Sequence, residues 1–203
     1  SIATNVLHGG GEPWGNYYPP YSLGYKYRAP DPYNPDEARK LLAEAGYPDG
    51  FDTYFHYPQD QELVSQAVIA SFANVGIRAV ARPYEVMTWY NKYRNDQFDG
   101  MSYTPQPLWE GEYYPDGTFY QELTGWGAPV SKDIPEVREA FNQILNTKTE
   151  DEMATAAQAA EHLVLDTLDY KTVVWAFHST YAYGPTIKDW DPALPLFKAA
   201  YNG

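Results

Sequence analysis

The sequence predicts an α/β chain, a mixed and largely parallel sheet flanked by helices. Two observations carry that prediction. Between residues 34 and 104, segments of helical apolar period alternate with short aromatic or β-branched runs, the order that parallel strand pairing requires. The helical segments are also bounded by residues suited to starting and stopping a helix.

The first helix lies in "NPDEARKLLAEAGYPDGF", residues 34–51. Asn34 suits the N-cap, Pro35 the first helical position, and Glu37 completes an N-x-x-E arrangement. Ala38, Leu41, Leu42 and Ala45 recur at helical spacing, so one face is apolar. Gly46 supplies a left-handed stop and Pro48 forbids continuation. "FDTYFHY" then alternates aromatic with polar residues, as a strand does. Val64, Ala67, Val68, Ser71, Phe72 and Val75 trace a second helix ending at Gly76. "IRAVARPYE" reads as a strand, "VMTWYNKYRND" as a short helix and "FDGMSYT" as a third strand. Two more helices carry capping-box spacing, Asp133 to Glu136 and Thr149 to Glu152, and "KTVVWAFH" is a closing apolar strand. Residues 1–33 and 104–130 are rich in Gly, Pro and aromatic residues without a sustained period, and read as ordered loop.

Composition limits the function classes. A net charge of −13 argues against a nucleic-acid partner, and the absence of cysteine removes disulfides and thiol catalysis. No apolar run approaches the roughly 20 residues of a membrane-spanning helix. Twenty tyrosines and six tryptophans supply large contact areas with polar handles, suited to recognition as well as to a core. His8, His56, His162 and His178 have no metal-ligand spacing and read as surface or core residues. No phosphate-binding glycine loop or nucleophile elbow occurs, so neither a metal nor a cofactor is expected. "SIATNVLHGGGEP" has neither the basic start nor the apolar segment of a signal peptide, which implies a cytosolic chain or a missing beginning.

"YNPDEARKLLAEAGYPDGF" followed by "ELVSQAVIASFANVGIRAVARPYEVMTWYNKYRNDQFDGM" resembles the family 5 solute-binding proteins, the peptide- and nickel-type extracellular receptors of ABC importers. The likeness is nearly continuous over residues 33–100, and the two helices within 133–168 fit in order and spacing. It implies a type II periplasmic-binding-protein fold, of which this chain would be the C-terminal lobe alone. Residues 1–33 would be an inter-lobe loop segment, 34–178 the lobe core, and 179–203 a tail meeting the missing N-terminal lobe. The implied function is binding, with no bond made or broken: a solute of the peptide or oligosaccharide class is held in an inter-lobe cleft and passed to ABC permease subunits, in the periplasm or outside the cell. A sensory ligand-binding domain and a peptide or glycan hydrolase are the rival readings.

The cleft would be built from loops at strand ends. Those loops contain Tyr57 and Gln59, then Tyr103, Gln106, Trp109, Tyr113 and Tyr114, with Trp14 from the opening segment. Phe98, Asp99, Trp89 and Trp175 read as structural, with Trp190 facing the other lobe. Peptide-binding members commonly place an aspartate shortly after the "F-D" strand, whereas here no acid falls between Asp99 and Glu110. With a loop lined by Tyr, Trp and Gln, that leans toward a neutral, hydroxyl-rich or aromatic small molecule, such as an oligosaccharide, over a free peptide.

Overall fold

The start of each helix explains where the sheet begins. In the computed structural model, which describes residues 2–104, 114–115, 134–168 and 172–177, Asn34 accepts a 3.2 Å hydrogen bond from the Glu37 amide and opens α2, Pro35–Glu44. A four-residue helix, α1 (Ile2–Asn5), and a short strand, β1 (Gly11–Pro13), precede it in the segment the sequence reads as loop. Both are too short to show a period in sequence. At the end of α2, Gly46 stands at φ 92°, its amide bonded to the Ala43 carbonyl and that of Tyr47 to Leu42. This pair of bonds is the Schellman stop expected of a glycine here.

Where the sequence reading treats residues 1–203 as one lobe, internal contacts gather the chain into two compact units. The first holds residues 2–9 and 31–104. Its sheet has the order β3-β2-β4, all parallel, from β2 (Phe51–Pro58), β3 (Ile77–Tyr84) and β4 (Met101–Ser102). β2 leads through α3 (Glu62–Ala73) to β3 on one side, and the chain returns through α4 (Val86–Arg94) to β4 on the other. The helices cover opposite faces. Phe55 meets Phe72 of α3 edge to face, while His56 points the other way onto Phe98, itself 6.2 Å from Trp89 of α4. Pro83 is tolerated because β3 lies at the edge of this sheet.

Two expectations change here. The aromatic–polar alternation of β2 does not become alternating exposure, since Phe55, His56, Tyr57 and Pro58 are all buried. A central strand covered on both faces has no solvent side. The third strand is shorter than "FDGMSYT" because Phe98 turns in to stack on His56 and Gly100 adopts φ 92°. Trp89 is core, as expected: it is buried and stacks on Tyr93 at 4.9 Å. α2 buries no residue, and Leu41 remains 55% exposed. Polar contacts hold it instead, through Arg39 to the Asn74 carbonyl and Asn74 to the Tyr33 hydroxyl.

The second unit holds residues 10–30, 114–115, 134–168 and 172–177. Its core is a helical hairpin of α5 (Pro135–Leu145) and α6 (Glu150–His162), continued by a π-helical turn, Leu163–Thr167. Val137, Ala140 and Ile144 meet Ala157, Ala160, Val164 and Leu165, with Tyr17 and Tyr18 closing the cluster. Thr149 caps α6 by accepting from the Glu152 amide, and the Glu152 carboxylate accepts from the Lys148 amide at 2.7 Å. α5 departs from expectation, because its N-cap is Ile134 with no side-chain cap. Pro135 at the first helical position removes one of the amides left unpaired there, and its fixed φ suits the start. β5 (Trp175–Phe177) pairs antiparallel with β1. Trp190 lies outside the described residues, as does the Trp175 side chain.

Candidate functional site

In an open parallel sheet, side chains and loops beyond the carboxyl ends of the strands form the natural binding crevice. In the first unit that end is lined by aromatic residues from all three strands: Tyr57 of β2, Tyr84 of β3 and Tyr103 just after β4. Tyr57 has no exposed surface, and its hydroxyl accepts from the Gln66 amide at 3.2 Å. Burial, and then the neighbouring Glu62 carboxylate, push the Tyr57 hydroxyl above its ordinary pKa. With no exposed surface, Tyr57 presents nothing to a solute in this structure. Gln59 follows in an exposed single 3-10 turn, Gln59–Gln61, with the Asp60 carboxylate beside it. Tyr103 is half-buried, and its amide donates to the His56 carbonyl at 2.9 Å.

The structure thus brings Tyr57, Gln59 and Tyr103 to one end of one sheet. Tyr114 and Trp14 belong to the second unit. Tyr114 is half exposed and donates to the Glu150 carboxylate at 3.3 Å. Trp14 stacks on Tyr25, rings 6.2 Å apart and 16° from parallel, and among the described residues its shielded indole N–H meets no hydrogen-bond acceptor. Gln106, Trp109 and Tyr113 lie outside the described residues.

Sequence reasoning missed Tyr84, although a tyrosine closing a parallel strand one residue before a helix cap is a readable signal. That cap is Glu85, whose carboxylate accepts from the Met87 and Thr88 amides. These two bonds hold its pKa below the ordinary carboxylate range. It also missed the polar clamp of the second unit. Glu161 is buried on α6, accepting from the Tyr17 amide at 2.6 Å and from the Asn16 side chain at 3.3 Å. Asn16 in turn donates to the Lys26 carbonyl and accepts from the Arg28 amide, so one buried carboxylate fixes the segment that carries Trp14. The signal was a glutamate at an apolar position, one turn after Ala157.

The groups at the sheet end can stack and can donate or accept hydrogen bonds. Both His56 nitrogens are engaged by Tyr84 and Asp99, which leaves the imidazole no free position from which to act on a substrate. Among the described residues no cluster of His, Cys, Asp or Glu could hold a metal ion.

Comparison with known proteins agrees with this architecture. Residues 1–133 match the sequence model described as bacterial extracellular solute-binding proteins, family 5 Middle. Heme-binding protein A of Haemophilus influenzae is 29% identical over 133 residues, covering 62% of this chain and 24% of that protein. The structure of Haemophilus influenzae OppA in complex with the peptide RPPGFSPFR superposes with a TM-score of 0.67 at 21% identity, covering 96% of this chain and 40% of that one. The ABC transporter-associated periplasmic binding protein DppA of Helicobacter pylori, in complex with the peptide STSA, gives 0.64 at 18% identity over 86% of this chain and 36% of that one. The chain thus spans about a quarter of its curated relative and well under half of the solved chains. The matched segment contains the whole parallel sheet, and the chain belongs to the family 5 bacterial extracellular solute-binding proteins.

Proposed function

We propose that this chain forms part of an extracytoplasmic receptor that binds a solute at the carboxyl end of its parallel sheet and delivers it to an ABC permease. The family match over residues 1–133 carries this reading. The tyrosines and the exposed Gln59 at that sheet end give it a physical site. Gln106, Trp109, Tyr113, Tyr114 and Trp14 are proposed as solute contacts on the sequence reading alone. Binding and release do the work.

The solute class follows the relatives rather than the acid count. The sequence reading leans toward an oligosaccharide, and that finer reading has no support among the relatives above. Two of them carry peptides in their structures, so a peptide or peptide-like solute is the reading favoured here. Asp60, exposed in the turn after β2, offers a carboxylate to a solute ammonium group. Calorimetric titration of the full-length gene product with di- to nonapeptides and with maltotriose tests the proposal. Saturable binding of a peptide is expected; binding of the sugar with none of any peptide would overturn the solute class.

A further inference from the structure

β4 is two residues long, and its ladder with β2 spans only Phe55↔Met101 and His56↔Ser102. So short a strand has few bonds with which to fix the chain that follows it. His56 supplies the missing restraint on both flanks. After β4, the His56 carbonyl accepts from the Tyr103 amide at 2.9 Å. Before β4, His56 Nε2 lies 2.7 Å from the Asp99 carbonyl oxygen and 3.3 Å from the Asp99 carboxylate. The side chain is 3% exposed, and its ring stacks on Phe98 at 4.4 Å and 18° from parallel. One residue of the central strand therefore brackets β4 from either side.

The bonds also place one ring proton. A backbone carbonyl can only accept, so Nε2 carries a proton toward Asp99. Nδ1 lies 3.1 Å from the Tyr84 hydroxyl, a group able to donate to it or to accept from it. Gly100 completes the approach, since a Cβ there would come within 2.6 Å of Thr53 Oγ1 and 2.8 Å of the Tyr54 carbonyl oxygen. The turn between Asp99 and β4 is thus pressed against β2, with the imidazole locking its carbonyl. The same ring lies against the hydroxyl of Tyr84, so the tyrosine closing β3 is referenced to the His56 side chain and the one following β4 to the His56 carbonyl and to the turn that the ring holds at Asp99.

We propose that His56, with its Nε2–H directed at the Asp99 carbonyl, is a positioning residue that sets Tyr103 and Tyr84 at the solute site. The proposal rests on the solute-binding reading for its purpose but not for its geometry. Two variants of the full-length gene product separate positioning from packing. His56→Gln keeps an amide donor where Nε2 stands and loses the ring. His56→Phe keeps a stacking ring and loses both side-chain hydrogen bonds.

Amide hydrogen exchange at Tyr103, nitrogen NMR of His56, and titration with the peptide bound most tightly by the wild type are the readouts. The wild type is expected to show a protonated Nε2. His56→Phe keeps the carbonyl to which the Tyr103 amide bonds but frees the Asp99 turn before β4. The loosened strand end is expected to exchange the Tyr103 amide about fivefold faster or more, the scale of one net hydrogen bond lost at Asp99, and to weaken the peptide by a similar factor. His56→Gln is expected to restore both toward wild type. Wild-type exchange in His56→Phe, no recovery in His56→Gln, or a protonated Nδ1 with a bare Nε2 would each overturn the proposal. If no peptide binds the wild type, the solute-binding reading fails, while exchange and tautomer still decide the role of His56.

Discussion

Gly46 and Gly50 sit four residues apart in the stretch that carries the family likeness, and they should respond differently to the same substitution. Both have positive φ, 92° and 73°, so alanine at either accepts backbone strain of about 1–2 kcal/mol. At Gly46 nothing lies within 4 Å of an added Cβ, and the cost ends there. At Gly50 an added Cβ would overlap the Gly76 carbonyl group and lie 2.9 Å from the Gly76 Cα. Only backbone is there to yield, so the first rungs of the β2–β3 ladder, Phe51↔Ile77 and Asp52↔Arg78, must separate. Arg78 donates to the Asp49 and Gly76 carbonyls at that corner, and these bonds loosen too. Overpacking at about 1–3 kcal/mol on top of that strain brings Gly50→Ala to roughly 2–5 kcal/mol. Urea unfolding followed by circular dichroism measures both variants. Equal destabilisation, within about 0.5 kcal/mol, would refute the close approach of the two strand starts.

Glu161→Ala leaves the buried Tyr17 amide without its acceptor and should cost about 2–4 kcal/mol, whereas Glu161→Gln, which keeps an oxygen in place, should cost about 1 kcal/mol; urea unfolding read by tryptophan fluorescence distinguishes them. The hydrogen bond and then the charge of Arg78 hold the Asp52 carboxyl below its ordinary range, so what the pair contributes is present above the unfolded pKa and lost as pH falls through the lowered one. In Arg78→Ala, the Asp52 titration followed by carbon NMR should move up toward the usual aspartate value. Trp109→Ala in the full-length product should weaken peptide binding by about 1–3 kcal/mol with little change in melting temperature, as calorimetry and a thermal melt would report.

Helix boundaries were legible wherever a side chain or a glycine makes the boundary. Asn34, Gly46, Gly76 and Thr149 act as their local chemistry implies. Ile134 was not legible, because the spacing of Asp133 and Glu136 looks the same whether the helix starts directly after Asp133 or one residue later, at Pro135. The burial of β2 was hidden for a different reason. Alternation in sequence reports one covered face, and only the return of the chain through α4 covers the second. The site was readable as strand-end loops, which placed Tyr57, Gln59 and Tyr103 together. Tyr84 and His56 were not, since their roles arise from pairing between strands distant in sequence, and a buried histidine carries no sequence mark of what its ring nitrogens meet. Glu161 could have been found by asking why an acid occupies an apolar position of α6.

The central claim is that a peptide-like solute is held at the carboxyl end of the parallel sheet. A crystal structure of the full-length gene product with the peptide bound most tightly in calorimetry tests it most directly. The account predicts peptide atoms within hydrogen-bond or stacking distance of Gln59 and Tyr103. A peptide seated elsewhere, with residues 57–60 and 103 touching only protein and solvent, would contradict it.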